Sequence, residues 1–311
     1  MSREYKILNY IRSLVRNPNK YLFDDCAVFG NGDNGYCVTT DTVVEGVHFF
    51  YNIRANSLLN YSPLEIGWKS LAVNLSDIAS MGAKPLYVLV ALSVPKQCSD
   101  NFVKNLYLGI VQCAKKYNAQ IIGGNITSSK ELSITITVIG QNQKIIAKRK
   151  NAKVNDVVFM CGSHGLAGLA YKQLIMGSQK INKKILRKLK MPEPQVREGK
   201  RIVSLCKRVA MMDSSDGLGD CLVQISKQSK VKIIVDESEV CLKNKLDSLE
   251  MVLYSGEDYG LVGTVSNTDW KKINRIKGVK KIGLVEKGSG AYVRMRNSRL
   301  VKIDKMKIFQ H

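Results

Sequence analysis

The chain has 311 residues, 45% of them hydrophobic and 24% charged, which is enough for two globular domains with real cores. It contains no run of about 18 uninterrupted apolar residues, so no membrane span is expected. The net charge of +22 raises the question of nucleic acid. The lysines are spread along the chain, however, and no helix-turn-helix or aromatic-basic motif is present.

The two densest basic runs, Lys180 to Lys190 and Lys271 to Lys281, read as solvated helix faces. A basic field also attracts small anionic substrates such as nucleotides. No nucleic-acid partner is therefore expected. The eight cysteines form no CxxC pair, which argues against zinc and for reduced thiols in a cytoplasmic protein.

The segment Met1 to Asn17 mixes charges with Ile, Leu and Val and reads as a short amphipathic helix, not a secretory signal. Tyr36 to Val44 is rich in Val and Thr and predicts a strand. Ser62-Pro63-Leu64-Glu65 opens a helix: Ser at the cap, Pro at the first helical position, Glu closing a capping box. Gly82 and Pro85 end it. Tyr87 to Val94 predicts a strand, Asp100 to Tyr117 a helix, and Gln120 to Ile122 and Leu132 to Ile139 further strands.

The polar, basic stretch Gln141 to Asn155 places a domain boundary, dividing the chain into 1–145 and 146–311. Beyond it, strands are expected at Asp156 to Cys161, Val231 to Val235 and Tyr259 to Val265. Helices are expected at Leu166 to Met176, Glu198 to Val209 and Leu218 to Ser226. The alternation predicts a mixed α/β (α+β) architecture.

In so basic a chain the carboxylates gather in unusual places. Asp24-Asp25 stands beside a glycine-rich turn, and Asp41 follows Thr39 and Thr40 in a strand where Asp is normally depleted. Asp41 is open to two readings, a turn residue at a strand end or an oxygen ligand for a hard cation. Asp77 lies opposite the stripe Leu64, Trp68, Leu71, Leu75 and Ile78. Its own residues fit a solvated helix face, although the surrounding helix is nearly uncharged. Asp213-Ser214-Ser215-Asp216-Gly217 precedes a helix with more acids and hydroxyls than a cap requires. Glu257-Asp258 follows Ser255-Gly256. Several carboxylates with Ser and Thr suit Mg²⁺ bridging phosphates, and phosphoryl transfer asks little else of a protein.

Gly30 to Gly35 matches GxGxxG but leads into a strand, so it is a polar turn and not a dinucleotide site. No P-loop, protein-kinase signature or Ser-His-Asp elbow is present. His48 reads either as a surface-loop residue or as a substrate contact.

Six segments in order resemble the thiamine-monophosphate kinase family of aminoimidazole-ribonucleotide synthetase-like enzymes. They are Asp24-Asp25-Cys26-Ala27-Val28, Thr40 to Phe49, Asn74 to Ala83, Gly123-Gly124-Asn125, Asp213 to Leu218, and Ser255 to Tyr259. The resemblance implies a two-domain fold, N-terminal domains pairing in a homodimer, and transfer of the ATP γ-phosphate to thiamine monophosphate with several Mg²⁺ ions. It implies metal ligation by Asp25, Thr39, Thr40, Asp41, Asp77, Asp213 and Asp216. It implies nucleotide contacts from Tyr107, Gly124, Asn125, Arg149 and Ser215, with Arg149 clamping phosphate. His48, Glu257 and Phe309 become thiamine-phosphate contacts, and Asp41, Asp77, Asp216 and Arg149 the catalytic set.

The chain departs from the family pattern at Asn125, where many relatives carry Asp, at Arg149-Lys150-Asn151-Ala152, and at its C-terminus Lys307 to His311. The alternatives are a superfamily relative acting on another substrate and a non-catalytic nucleotide-binding scaffold.

Overall fold

The computed structural model describes residues 3–15, 22, 24–30, 32–51, 58–178, 180–241 and 248–304. The first half builds one five-stranded sheet from β1 (Ala27–Phe29), β2 (Tyr36–Val44), β3 (Lys84–Pro95), β4 (Gln120–Ser129) and β5 (Ser133–Gln141). The spatial order is β1-β2-β5-β3-β4. Only β3 and β4 run parallel; the other neighbours are antiparallel. The alternation in β5 works as expected: Ile134, Ile136 and Val138 are fully buried beneath helices, while the intervening threonines face the other side.

Helix Pro63–Ser80 starts on the expected capping box, with the Ser62 side chain accepting from the Glu65 amide and the Glu65 carboxylate accepting from the Ser62 amide. It crosses helix Asp100–Tyr117 at two glycines. A Cβ on Gly67 would lie 1.9 Å from the Leu106 carbonyl oxygen, and one on Gly109 would lie 2.1 Å from that of Leu64. Glycine is what lets the two backbones touch.

The second half forms a seven-stranded sheet from β6 (Val157–Cys161), β7 (Val209–Asp213), β8 (Lys232–Asp236), β9 (Leu261–Val265), β10 (Val279–Glu286), β11 (Gly290–Arg294) and β12 (Leu300–Lys302). Its order is β12-β11-β8-β10-β6-β9-β7. The architecture is mixed α/β with two sheets. The helix expected over Glu198 to Val209 runs instead over Val196–Leu205, and Val209 begins β7. The apolar run Val209 to Met212 is a strand buried on both faces, which helical periodicity cannot distinguish from a buried helix end. The basic run Lys271 to Lys281 is also not one helix: it spans the end of helix Asn267–Ile273, a turn, and the start of β10.

Helix Pro63–Ser80 is the pivot between the halves. Trp68 Nε1 donates to the Pro192 carbonyl at 2.8 Å, and a Cβ on Gly199 would lie 2.1 Å from the Ala79 carbonyl oxygen. One core cluster runs continuously from the first sheet through this helix to Phe159, Ile202, Met211 and Leu261. The helix is therefore packed all round, and the solvated-face reading of Asp77 is overturned. Lys69, Ser70, Asn74 and Ser76 are buried along the helix, and Asp77 is half-buried. Among the described residues no helix is long and apolar enough to cross a membrane, and the eight cysteines are all free.

Candidate active site

Four segments deliver carboxylates to one place. Asp25 comes from the loop before β1 and Asp41 from β2; Asp77 is in the last turn of helix Pro63–Ser80 and Asp213 at the end of β7. One oxygen each of Asp25, Asp77 and Asp213 lies within 4.8 Å of the others. The inner face of β2 presents Thr39 and Asp41 to the helix. The Thr39 hydroxyl donates to the Asp77 carboxylate, and the Asp41 amide donates to Asn74 Oδ1 at 3.0 Å. Ser76 donates to Asp213 Oδ2 at 2.7 Å. Because strand residues alternate faces, Thr40 points the other way. Its hydroxyl donates to the Ile136 carbonyl at 3.2 Å and accepts from Thr137 at 3.1 Å, so that side chain is not brought to the acids.

Burial pushes the Asp77 carboxyl well above the usual carboxylate range, with Asp213, Asp41 and Asp25 adding to it and the Thr39 hydroxyl opposing. Asp213 is raised likewise, by burial and then by Asp25. Asp41 is raised by desolvation of its carboxyl and by Asp25, although the residue keeps an exposed side. Like charges crowded in low dielectric resist ionisation unless a cation joins them.

Among the described residues the cation paired with the cluster is Arg149, which forms an ion pair with Asp25, while its own amide donates to Asp24 Oδ1 at 2.8 Å. Among the described residues, Asp25 Oδ2 and Arg149 Nε are buried without a hydrogen-bond partner. A ligand atom for the first and an anion for the second would complete both.

Asp216 and Ser215 follow Asp213 in the turn ahead of helix Leu218–Ser229, and both are half-buried. The Ser215 carbonyl accepts from the Glu257 amide at 2.7 Å. This ties the Ser255–Tyr259 loop to the acidic turn.

A cavity lined among others by His48, Phe49, Tyr61, Lys69, Tyr171 and Glu257 is tied to the acidic turn through the Glu257 backbone. His48 sits in the turn after β2, with Nδ1 accepting from the Val44 amide at 3.1 Å. Lys69, whose side chain is 2% exposed, pairs with Glu257 and donates to the His48 carbonyl at 2.7 Å. Burial works against this ammonium, but Glu257 and Tyr61 hold its proton in place. Tyr259 donates to Glu257 Oε1 at 3.2 Å.

Two expected nucleotide residues stand apart. Gly124 and Asn125 are exposed on β4, the outer strand. Gly124 is in the same row as Val90, Ile136 and Asp41, which puts it three strand spacings, roughly 14 Å, from β2. Tyr107 is half-buried on helix Asp100–Tyr117 and packs against the first core. Phe309 lies outside the described residues.

Sequence reasoning passed over Lys69, Asn74 and Ser76. Its only cue was available in hindsight: a buried helix rich in polar residues with no solvent face to put them on.

The AIR synthase related protein N-terminal domain matches residues 23–142 and the corresponding C-terminal domain matches residues 153–296. The thiamine-monophosphate kinase of Bacillus subtilis (strain 168) is 36% identical over 292 residues, covering 88% of this chain and 87% of that protein. The thiamine-monophosphate kinase of Archaeoglobus fulgidus is 36% identical over 231 residues, covering 74% and 73%. A solved structure described as AaThiL complexed with AMPPCP and TMP superimposes with a TM-score of 0.86 at 26% identity, covering 99% of this chain and 96% of that one.

Proposed function

The chain belongs to the thiamine-monophosphate kinases of the AIR synthase-related family, and we propose that it transfers the γ-phosphate of ATP to thiamine monophosphate, giving thiamine diphosphate and ADP. The observation that carries this reading is the convergence of Asp25, Asp77 and Asp213, with a cavity holding His48 and Glu257 tied to the acidic turn.

The donor set fits Mg²⁺. It is all oxygen, it is too acidic to stand alone, and it includes the partnerless Asp25 Oδ2. Asp25, Asp41, Asp77, Asp213 and Asp216 would hold the ions, joined by Thr39 through its hydroxyl and Thr40 through its main chain. Bound Mg²⁺ supplies neutralisation of charge on the two facing phosphates.

The protein's own residues do the rest. The acceptor is already an anionic phosphate oxygen, so no strong general base is needed. Arg149 keeps Asp25 with one N–H and has others for a nucleotide phosphate. Ser215, Gly124, Asn125 and Tyr107 serve the nucleotide, and His48, Glu257 and Phe309 the thiamine moiety.

The division between domains is placed at 145/146, and the assembly is a homodimer in the cytoplasm. The outer face and edge of the first sheet expose Tyr87, Leu89, Ile122 and Ile126, the last two at 50% and 60%. Pairing there would cover this apolar surface and bring Asn125 of one copy near a second copy.

The test is phosphorus NMR of the purified protein with ATP, Mg²⁺ and thiamine monophosphate. Conversion of the monophosphate resonance to a diphosphate pair is expected, with Asp77→Asn losing it. ATP hydrolysis without diphosphate would reject the assignment.

A further inference from the structure

Lys69 and Asp77 lie on one helix, eight residues apart, a separation of roughly 12 Å along its axis. An extended two-ring phosphate ester spans such a gap. With its phosphate at the acids, its ring end reaches the cavity where Lys69 meets Glu257.

The Glu257 carboxylate is held there on both oxygens. Lys69 pairs with Oε2, and Tyr259 donates to Oε1 at 3.2 Å. Lys69 itself is anchored on the His48 carbonyl at 2.7 Å and lies over the Tyr61 ring at 5.4 Å. Glu257 also sits at φ 72, a conformation that a non-glycine residue adopts at a cost. The fold thus maintains this side chain at the cavity wall against local preference.

A carboxylate in an ion pair has lone pairs only and can receive hydrogen bonds but not give one. We infer that Lys69 is a positioning residue that fixes Glu257 as a hydrogen-bond acceptor, so that the cavity selects a substrate ring bearing an amino donor over the same ring bearing an oxo group. This rests on the thiamine-monophosphate reading, whose pyrimidine carries such an amino group. Lys69 touches no reacting atom. Because it comes from the first half of the chain and Glu257 from the second, the selection also depends on the two halves being closed on each other.

The experiment compares kcat/KM for thiamine monophosphate and for its analogue with a 4-oxo group in place of the amine. It uses the wild type, Lys69→Met, Lys69→Arg and Glu257→Gln. The wild type should favour the amine by at least about 100-fold, since two facing acceptors repel and leave buried groups unpaired. Glu257→Gln, which can present either amide end, should bring the ratio down by about tenfold or more. Lys69→Met should do the same, because Glu257 loses the cation that holds its carboxylate at the cavity wall; Lys69→Arg should keep the preference.

A purely structural lysine would lower both values together and leave the ratio unchanged, which overturns the inference. Should Lys69→Met not fold, Glu257→Gln decides alone, and an unchanged ratio there refutes the proposal. A wild type that uses the amine but does not discriminate also refutes it. A wild type inactive on both substrates would instead refute the parent reading.

Discussion

Replacing Asp77 by Asn should inactivate the protein and, without divalent cations, stabilise it. Oxygens of Asp25, Asp77 and Asp213 lie within 4.8 Å of one another. At an effective dielectric near 20, each ionised pair at that distance repels by about 3 kcal/mol. Asn at position 77 removes two of the three pairs and keeps the oxygen that accepts from Thr39. Part of this repulsion is already offset by the Arg149 ion pair and by the raised carboxyls of Asp77 and Asp213, so about 1–3 kcal/mol should be recovered, at about 2–4 °C of Tm per kcal/mol.

The folded-state carboxyls of Asp41, Asp77 and Asp213 are raised above their ordinary value of 3.8. Stability of the cation-free wild type is therefore fullest in acid and declines as pH rises above that value. The gain from Asp77→Asn should grow in the same direction. Thermal melts by circular dichroism from pH 5.5 to 8.5, with chelator and with Mg²⁺, measure this. Mg²⁺ should stabilise the wild type more than the variant. A variant less stable than wild type in chelator at every pH would refute the reasoning.

Gly67→Ala should lower stability by about 2–3 kcal/mol, because its Cβ would meet the Leu106 carbonyl oxygen at 1.9 Å and force the helices apart; an unmoved urea midpoint would deny that contact. The Asp258 carboxylate accepts from the Gly165 and Ala167 amides at 2.6 and 3.1 Å. Asp258→Ala should cost about 2 kcal/mol and, since the helix it starts carries Gly168 and Tyr171 of the cavity, raise KM for thiamine monophosphate more than it lowers kcat. The Asp258 carboxyl is itself pushed up to about 7 by burial, so its ionisation lowers wild-type stability as pH rises toward that value, and this component should vanish in Asp258→Asn. Asn125→Asp should reduce the Mg²⁺ concentration for half-maximal turnover if position 125 faces the acids of a second copy, and an unchanged requirement would exclude that.

The strands and helices carrying the acids were legible because their signals are local. The capping box at Ser62, the Val/Thr run of β2 and the alternation of β5 each depend on near neighbours in sequence. The acids were legible as candidates because carboxylates in a basic chain stand out. Their surroundings were not. Whether Asp77 faced water depended on a helix being enclosed by residues more than a hundred positions away, such as Pro192 and Gly199. Lys69 carried no local signal, and only the fold brings Glu257 to it. Thr40 and Thr39 were alike as a pair of hydroxyls, and only the strand's pleat sends one to Asp77 and the other to Thr137.

The central claim is that acids distant in sequence hold divalent cations between two phosphates. Mn²⁺ as a paramagnetic substitute for Mg²⁺, titrated by electron paramagnetic resonance with a non-hydrolysable ATP analogue present, tests it directly. The wild type should bind Mn²⁺ tightly in the ternary complex, with Asp77→Asn and Asp213→Asn each losing bound ion. Equal Mn²⁺ binding by the wild type and both variants would contradict the account.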